Sequence, residues 1–185
     1  MLAQPVCAGS LVKIQLMNKL DEQRGFRIDI RGHKERAKVQ RELQAHTCYS
    51  YQSQVRFGQA FDEQLISRCK FCLPAFEVCM EADDSVEGSR LNLGACNDAG
   101  AQRSEFTANN QIKLISNDEL RVAIDAGASK QGGGGTPIHL LRSLSLANCE
   151  KSRTRYTSWR MSNQPSNQAK FYSFIFDLKT FGLTR

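Results

Sequence analysis

Seven cysteines are the residues of this chain best suited to do chemistry. Cys69 and Cys72 form a C-x-x-C motif, a spacing found in zinc sites and in redox-active thiol pairs. A zinc site of this kind would need a second cysteine pair of similar spacing, and the sequence has none. Structural disulfides are the favoured interpretation, and buried free thiols or metal and redox chemistry stay as alternatives. The odd count leaves at least one thiol without an intrachain partner.

Histidines and paired carboxylates give no catalytic pattern. His33, His46 and His139 have no metal-binding spacing, there is no G-x-S-x-G motif, and no cysteine lies in a recognisable nucleophile context. Asp83 and Asp84 are adjacent, so an extended chain directs them to opposite sides, which does not suit a two-carboxylate mechanism. We therefore predict a protein that is not an enzyme and that uses no cofactor and no metal.

Basic residues are concentrated in two segments of a chain whose net charge is +6. The candidate basic patch takes Arg31, Lys34 and Arg36 from the first segment and Arg155 from the second. Such a patch makes an anionic polysaccharide a candidate partner. No helix-turn-helix, RNP or zinc-finger pattern is present, so nucleic acid is not a predicted partner.

Length and composition indicate one globular domain. The chain has 185 residues, of which 41% are hydrophobic and 24% charged. No apolar run approaches the roughly 20 residues of a membrane-spanning helix, so no transmembrane segment is predicted. Residues 1–5 lack the basic and apolar regions of a signal peptide. Together with the cysteine content, this suggests a mature secreted or periplasmic (lumenal) chain to which an initiator Met has been added.

The elements that would position these residues repeat three times along the chain. Each copy begins with an alternating apolar strand of period 2, at residues 26–30, 78–82 and 120–124. After a polar loop comes a short strand that ends in Cys48, Cys96 or Cys149. A large aromatic follows nine or ten residues later, at Phe57, Phe106 or Trp159.

Four further segments lie outside the repeated strands. Residues 11–16 are predicted to form an opening strand, and residues 171–176 a late aromatic strand able to close against it. Residues 34–43 are best interpreted as a loop insertion with at most a turn or two of helix. Residues 132–135 are four consecutive glycines in a flexible loop, with no phosphate-binding context.

With these repeats, residues 11–176 resemble the ricin B-chain type (R-type) lectin domain, which is an all-β β-trefoil. The resemblance implies three pseudo-symmetric four-stranded copies, at about residues 11–67, 68–116 and 117–176. Residues 1–10 would then be an N-terminal arm and residues 177–185 a C-terminal tail. In that family each copy carries a Gln-x-Trp signature whose aromatic fills the core. Here Phe57, Phe106 and Trp159 are the expected aromatics, and the glutamine is expected to be absent from all three copies.

The resemblance also implies a disulfide. In R-type lectins a half-cystine in the first strand of a copy pairs with the cysteine that ends the second, which matches Cys79 and Cys96. Arginine stands at the first position in the other two copies, so Cys48 and Cys149 lose their family partners.

Sugar recognition in the family uses an acidic residue after the first strand, an aromatic platform before the second-strand cysteine, and amides. In the first copy Gln44 matches the amide and His46 the platform, with Gln54 nearby, but Gly32 replaces the acidic residue. In the middle copy Asp83 or Asp84 matches the acidic residue and Asn92 the amide, while the platform is Gly94. Strand alternation predicts that Gln44 and Asn92 face outward. The third copy has Ala126, Ser145 and Ala147 at these places and lacks the set.

The leading interpretation is therefore a non-catalytic carbohydrate-binding module that binds a glycan or glycoprotein through one or two sites. The main alternative is a trefoil that has lost sugar binding and serves as a structural or protein-interaction subunit of a larger complex. A third possibility is a protease inhibitor of the Kunitz soybean type, which is also a trefoil.

Overall fold

The computed structural model describes residues 10–32, 36–48 and 57–163. They form short strands with two four-residue helices, α1 (Glu63–Ile66) and α2 (Thr154–Thr157). The first seven strands are β1 (Leu11–Leu16), β2 (Phe26–Asp29), β3 (Gln44–Thr47), β4 (Phe61–Asp62), β5 (Cys72–Leu73), β6 (Val78–Ala82) and β7 (Leu91–Ala95). The remaining strands are β8 (Ser104–Phe106), β9 (Ile112–Leu114), β10 (Leu120–Ile124), β11 (Lys130–Gln131), β12 (Leu140–Asn148) and β13 (Trp159–Asn163). No helix among these residues has the length and apolar character to span a membrane.

The antiparallel pairing repeats along the chain. The central hairpins are β2–β3, β6–β7 and β10–β12, and they correspond to the paired strands predicted from the sequence repeats. The last strand of one copy pairs with the first strand of the next, as β8 does with β9 and β13 with β1. The chain is a β-trefoil. The predicted repeat boundaries and terminal arms stay predictions.

Strand β1 closes the barrel and has partners on both edges. Val12 pairs with Asn163 of β13 on one side and with Phe61 of β4 on the other. Gln15 likewise lies between Arg160 and Arg27. The predicted late strand at residues 171–176 lies outside the described residues, and β13 is the described strand that closes against β1.

Alternation of apolar residues along these strands produces one core. In β1, Val12, Ile14 and Leu16 are at most 1% exposed, since every second side chain points into the barrel. The largest fully buried side chains come from all three copies: Trp159, Phe26, Phe61, Phe71, Ile14, Leu16, Ile28, Ile30, Leu43, Leu73, Met80 and Leu91.

The structure corrects the predicted signature aromatics in the first two copies. Trp159 pairs with Leu16 at the start of the β13–β1 ladder, and Ser104 has the same place opposite Leu114 in the β8–β9 ladder. Phe106 therefore matches Met161 rather than Trp159.

In the first copy the fully buried aromatic that begins the last strand is Phe61, not Phe57. The last strand of each copy (β4, β8 or β13) begins two residues after the end of a helical turn, and that turn ends in Gln59, Gln102 or Thr157 respectively. All three side chains are at most 1% exposed. The glutamine expected to be missing is thus present in two copies, as Gln59-x-Phe61 and Gln102-x-Ser104.

The predicted loops are only partly described. Residues 36–43 of the predicted insertion contain no α-helix, and residues 34 and 35 lie outside the described part of the chain. The glycine loop at residues 132–135 follows β11, and its backbone bonds back to His139 through Gly132 and Gly134.

Candidate functional site

The first-copy candidates Gln44 and His46 both lie in β3, but their side chains are largely covered. Gln44 pairs with Asp29 of β2 on one side and with Ser143 of β12 on the other. It is 6% exposed, so the prediction that it faces outward is wrong. Alternation alone predicts one solvent face for β3, but β3 is an inner strand between β2 and β12, and its Gln44 side chain is buried.

The imidazole of His46, the predicted platform, is covered by the ring of His139. His139, from the loop before β12, meets it edge to face with 4.9 Å between ring centroids. The His46 Nδ1 atom is 2.9 Å from the Thr47 carbonyl oxygen and 4.0 Å from an Asp29 carboxylate oxygen. Its side chain is only 15% exposed, so a sugar could not stack on it unless His139 moved. Gln54 lies outside the described residues.

A buried glutamine bonds a carboxylate in each of the first two copies. Gln59 Nε2 donates to Asp29 Oδ2 at 2.8 Å, and Gln102 Nε2 donates to Glu81 Oε2 at 2.9 Å. Asp29 and Glu81 hold the same position in β2 and β6, opposite Gln44 and Asn92 respectively. The sequence interpretation missed these four residues because it placed the signature on Phe57 and Phe106.

The middle-copy candidates form an accessible polar site. Asp83 and Asp84 follow β6 and are exposed. Asn92 Nδ2 donates to Asp83 Oδ1 at 3.3 Å, whereas Asp84 Oδ1 accepts from the Ser85 backbone N–H at 2.6 Å. The structure thus brings Asp83 together with Asn92 and uses Asp84 in a turn.

The Glu81 carboxylate lies directly over the glycine at the middle-copy platform position. A Cβ on Gly94 would come within 2.4 Å of Glu81 Oε2. Gln102 holds this carboxylate and also bonds the Ala95 carbonyl oxygen and the Asn97 backbone N–H. A larger residue at position 94 would displace Glu81, so the site is bounded by carboxylates and an amide rather than by an aromatic ring.

The basic patch stays a prediction, and its described members have different surroundings. Arg31 forms an ion pair with Glu42 at 2.9 Å, and Arg36 is exposed. Lys34 lies outside the described residues. Arg155 belongs to α2, where its guanidinium lies 4.8 Å from the centre of the Tyr156 ring. An open cleft of about 400 Å³ beside it is lined by Met17, Asn18, Asn109, Asn110, Thr154, Arg155 and Ser158.

The cysteines among the described residues divide into a cluster of three and three separate thiols. Cys79 lies against both Cys72 and Cys96, and the three sulphur atoms are within 4.8 Å of one another. Such a cluster could form a disulfide or hold a metal ion. Cys48, Cys69 and Cys149 form no disulfide among the described residues. Burial raises the pKa of Cys48 to about 11, so this thiol stays protonated and unreactive at neutral pH.

Solved structures with a similar fold include lectins and a toxin. The β-trefoil lectin of the Vibrio vulnificus hemolysin/cytolysin, solved with N-acetyl-D-lactosamine bound, superposes with a TM-score of 0.55 and 12% identity. The match covers 85% of this chain and 97% of that one. A chain of the Haemophilus ducreyi cytolethal distending toxin gives a TM-score of 0.51 at 14% identity, covering 90% of this chain and 94% of that one.

The likenesses to the Vibrio lectin and to the Haemophilus toxin chain show the fold alone. An earthworm R-type lectin half in complex with GalNAc has a TM-score of 0.46 at 12% identity, over 84% of this chain and 99% of that one. No protein-family model matches the sequence, and no curated protein does.

Proposed function

We propose that this protein is a non-catalytic carbohydrate-binding module whose working site lies in the middle copy. The observation that carries the proposal is the exposed Asp83 carboxylate paired with the Asn92 amide. A carboxylate accepts hydrogen bonds from sugar hydroxyls, and an amide both donates and accepts. The second Asp83 oxygen and the Asn92 side-chain carbonyl oxygen can accept hydrogen bonds from a ligand, while the Asp83–Asn92 hydrogen bond fixes their orientation.

Recognition at this site would depend on hydrogen bonds. Gly94 provides no ring to stack on the apolar face of a sugar, and Glu81 adds a further carboxylate beside it. Two carboxylates favour a neutral, hydroxyl-rich ligand over an acidic one, because an anionic sugar would be repelled. We infer a neutral glycan or glycoprotein, bound more weakly than by a lectin with an aromatic platform.

The other copies support this choice by contrast. His139 covers the first-copy platform, and the third copy has Ser145 and Ala147 where the middle copy has its amide and glycine. Asp125 of the third copy matches Asp83, since the two backbone N–H groups bond Ser143 and Arg90 across equivalent hairpins. It is exposed but has no amide opposite it, which makes it a matched control.

The test is a glycan-array screen followed by titration of the neutral glycans that bind. Asp83→Asn and Asn92→Ala should each weaken binding about tenfold or more, since a charge-assisted hydrogen bond contributes about 1.5–3 kcal/mol. Asp125→Asn and His46→Ala should leave affinity unchanged. Loss of binding in His46→Ala alone would transfer the site to the first copy and overturn the middle-copy assignment.

A protein-interaction subunit of a larger assembly is the second candidate. Val86 and Ile115 are 53% and 44% exposed, and they flank the hydrogen-bonded pair Ser85 and Ser116. Adjacent exposed apolar side chains are typical of protein contacts. Absence of binding to every neutral and acidic glycan on the array would favour this candidate over the lectin. In either case the disulfide-forming cysteines favour an extracellular or otherwise oxidising compartment.

A further inference from the structure

Three cysteines meet at the centre of the middle copy. The three-stranded sheet has the order β5–β6–β7, which places Cys79 of β6 between its neighbours. Cys72 of β5 is its direct register partner. Cys96 follows β7, two residues after Gly94, which is the other register partner of Cys79. All three sulphur atoms lie within 4.8 Å of one another.

The valence of sulphur allows Cys79 only one of these two partners at a time. The Cα atoms of Cys79 and Cys96 are 5.1 Å apart, within the usual range for a disulfide, whereas those of Cys72 and Cys79 are 3.9 Å apart, closer than usual. We take Cys79–Cys96 as the resting bond. Cys72 is then a thiol held beside a disulfide, which is the arrangement that thiol–disulfide exchange requires.

The two possible bonds differ in which thiol meets solvent. Cys72 and Cys79 are 1% and 0% exposed, while Cys96 is exposed at the end of β7. A Cys79–Cys96 bond leaves the free thiol buried, and a Cys72–Cys79 bond releases it at the surface. Gln102 holds the chain on both sides of Cys96, through the Ala95 carbonyl oxygen and the Asn97 backbone N–H. Cys96 would therefore remain in place when its bond is broken.

We propose that Cys96 is a site of covalent modification by low-molecular-weight disulfides and that it is unmasked by internal exchange with Cys72. The Cys72 thiolate attacks the Cys79 sulphur, the Cys72–Cys79 bond forms, and Cys96 leaves as a thiolate. Cys96 then attacks the external disulfide, forming a mixed disulfide and releasing one small thiol. The proton lost by Cys72 ends on that released thiol. The external disulfide supplies the oxidising equivalents, so the balance closes.

The test uses the full chain without prior reduction, incubated with oxidised glutathione, quenched with acid and blocked with N-ethylmaleimide. Peptide mapping by mass spectrometry should find glutathione on Cys96 together with a Cys72–Cys79 linkage in the same molecules. Cys72→Ala should abolish the Cys96 adduct, because the Cys79–Cys96 bond then has no internal attacker. Cys69→Ser is the matched control, since it removes the other thiol of the C-x-x-C motif, and the adduct should persist.

Two results would overturn the proposal. One is an undiminished Cys96 adduct in Cys72→Ala, which would show that Cys96 reacts without exchange. The other is a wild-type map in which Cys72 is bonded to a cysteine other than Cys79. If Cys72→Ala does not give the native circular dichroism spectrum, the wild-type map decides alone, because the proposal requires the Cys72–Cys79 linkage to accompany the adduct.

Discussion

At the scale of single residues, a buried carboxylate is held charged where the first and third copies meet. Arg24 donates to Glu22 through Nε at 2.9 Å and through Nη2 at 2.8 Å, and Thr47 Oγ1 donates to the same carboxylate. These bonds outweigh the desolvation of Glu22 and lower its pKa to about 2. Arg24 also donates to the carbonyl oxygens of Pro137 and Ile138, so the pair fixes the loop that carries His139.

Glu22 should make folding stability depend on acid pH. A carboxylate with a lowered pKa stabilises the fold above its unfolded pKa near 4.5, and that contribution is lost as the pH falls towards 2. Glu22→Gln should therefore cost about 2 kcal/mol at pH 7 and almost nothing near pH 2. Urea unfolding at several pH values measures this difference. An identical acid dependence in Glu22→Gln and the wild type would contradict it, and the exposed Glu150→Gln serves as the control.

At the scale of elements, the buried glutamines connect the helical turns to the central hairpins. Gln59 ends the turn before β4 and bonds Asp29 at the end of β2. Gln102 ends the turn before β8 and bonds Glu81 of β6. The bond recurs although the carboxylate is Asp in one copy and Glu in the other, which indicates that it positions the last strand of each copy against the hairpin.

Gln59→Ala should destabilise the protein by about 1–3 kcal/mol, because Asp29 is 3% exposed and would lose one of its donors in a buried position. The urea midpoint should fall with an unchanged slope, as expected when stability alone changes. Gln64→Ala in α1 is the control, since that side chain is exposed. Equal midpoints for Gln59→Ala and Gln64→Ala would show that the glutamine bond has no structural role.

The central strands could be predicted from sequence, but the contacts that cover the candidate binding residues could not. Period 2 determines which side of a strand is apolar, and it located β2, β6 and β10 within a residue. In the middle copy the aromatic position of the signature is occupied by Ser104, and Phe106 is the nearest aromatic that follows it, so the sequence alone favours Phe106. The cover over His46 comes from His139, which is 93 positions away in the sequence, and no local pattern encodes such a contact.

At the scale of the whole molecule, Arg142 connects the first and third copies. It is 9% exposed and lies in β12, with its guanidinium 5.6 Å from the centre of the Phe26 ring. It forms an ion pair with Asp21 at 2.9 Å and donates to the carbonyl oxygens of Asp125 and Gly127. One planar guanidinium thus bonds the turn before β2 and the loop after β10.

Arg142→Lys should test whether this connection depends on geometry or on charge alone. Lysine keeps the positive charge but cannot present several donors in one plane to Asp21 and two carbonyl oxygens. We expect a loss of about 1 kcal/mol in the free energy of unfolding, because the side chain at position 142 is buried and lysine would lose at least one of these hydrogen bonds. Arg155→Lys is the matched control, as that side chain is exposed on α2. Equal stability of the two variants would mean that the guanidinium geometry of Arg142 contributes nothing to joining the two copies. A larger loss in Arg142→Lys would make the guanidinium part of what holds the first and third copies in register.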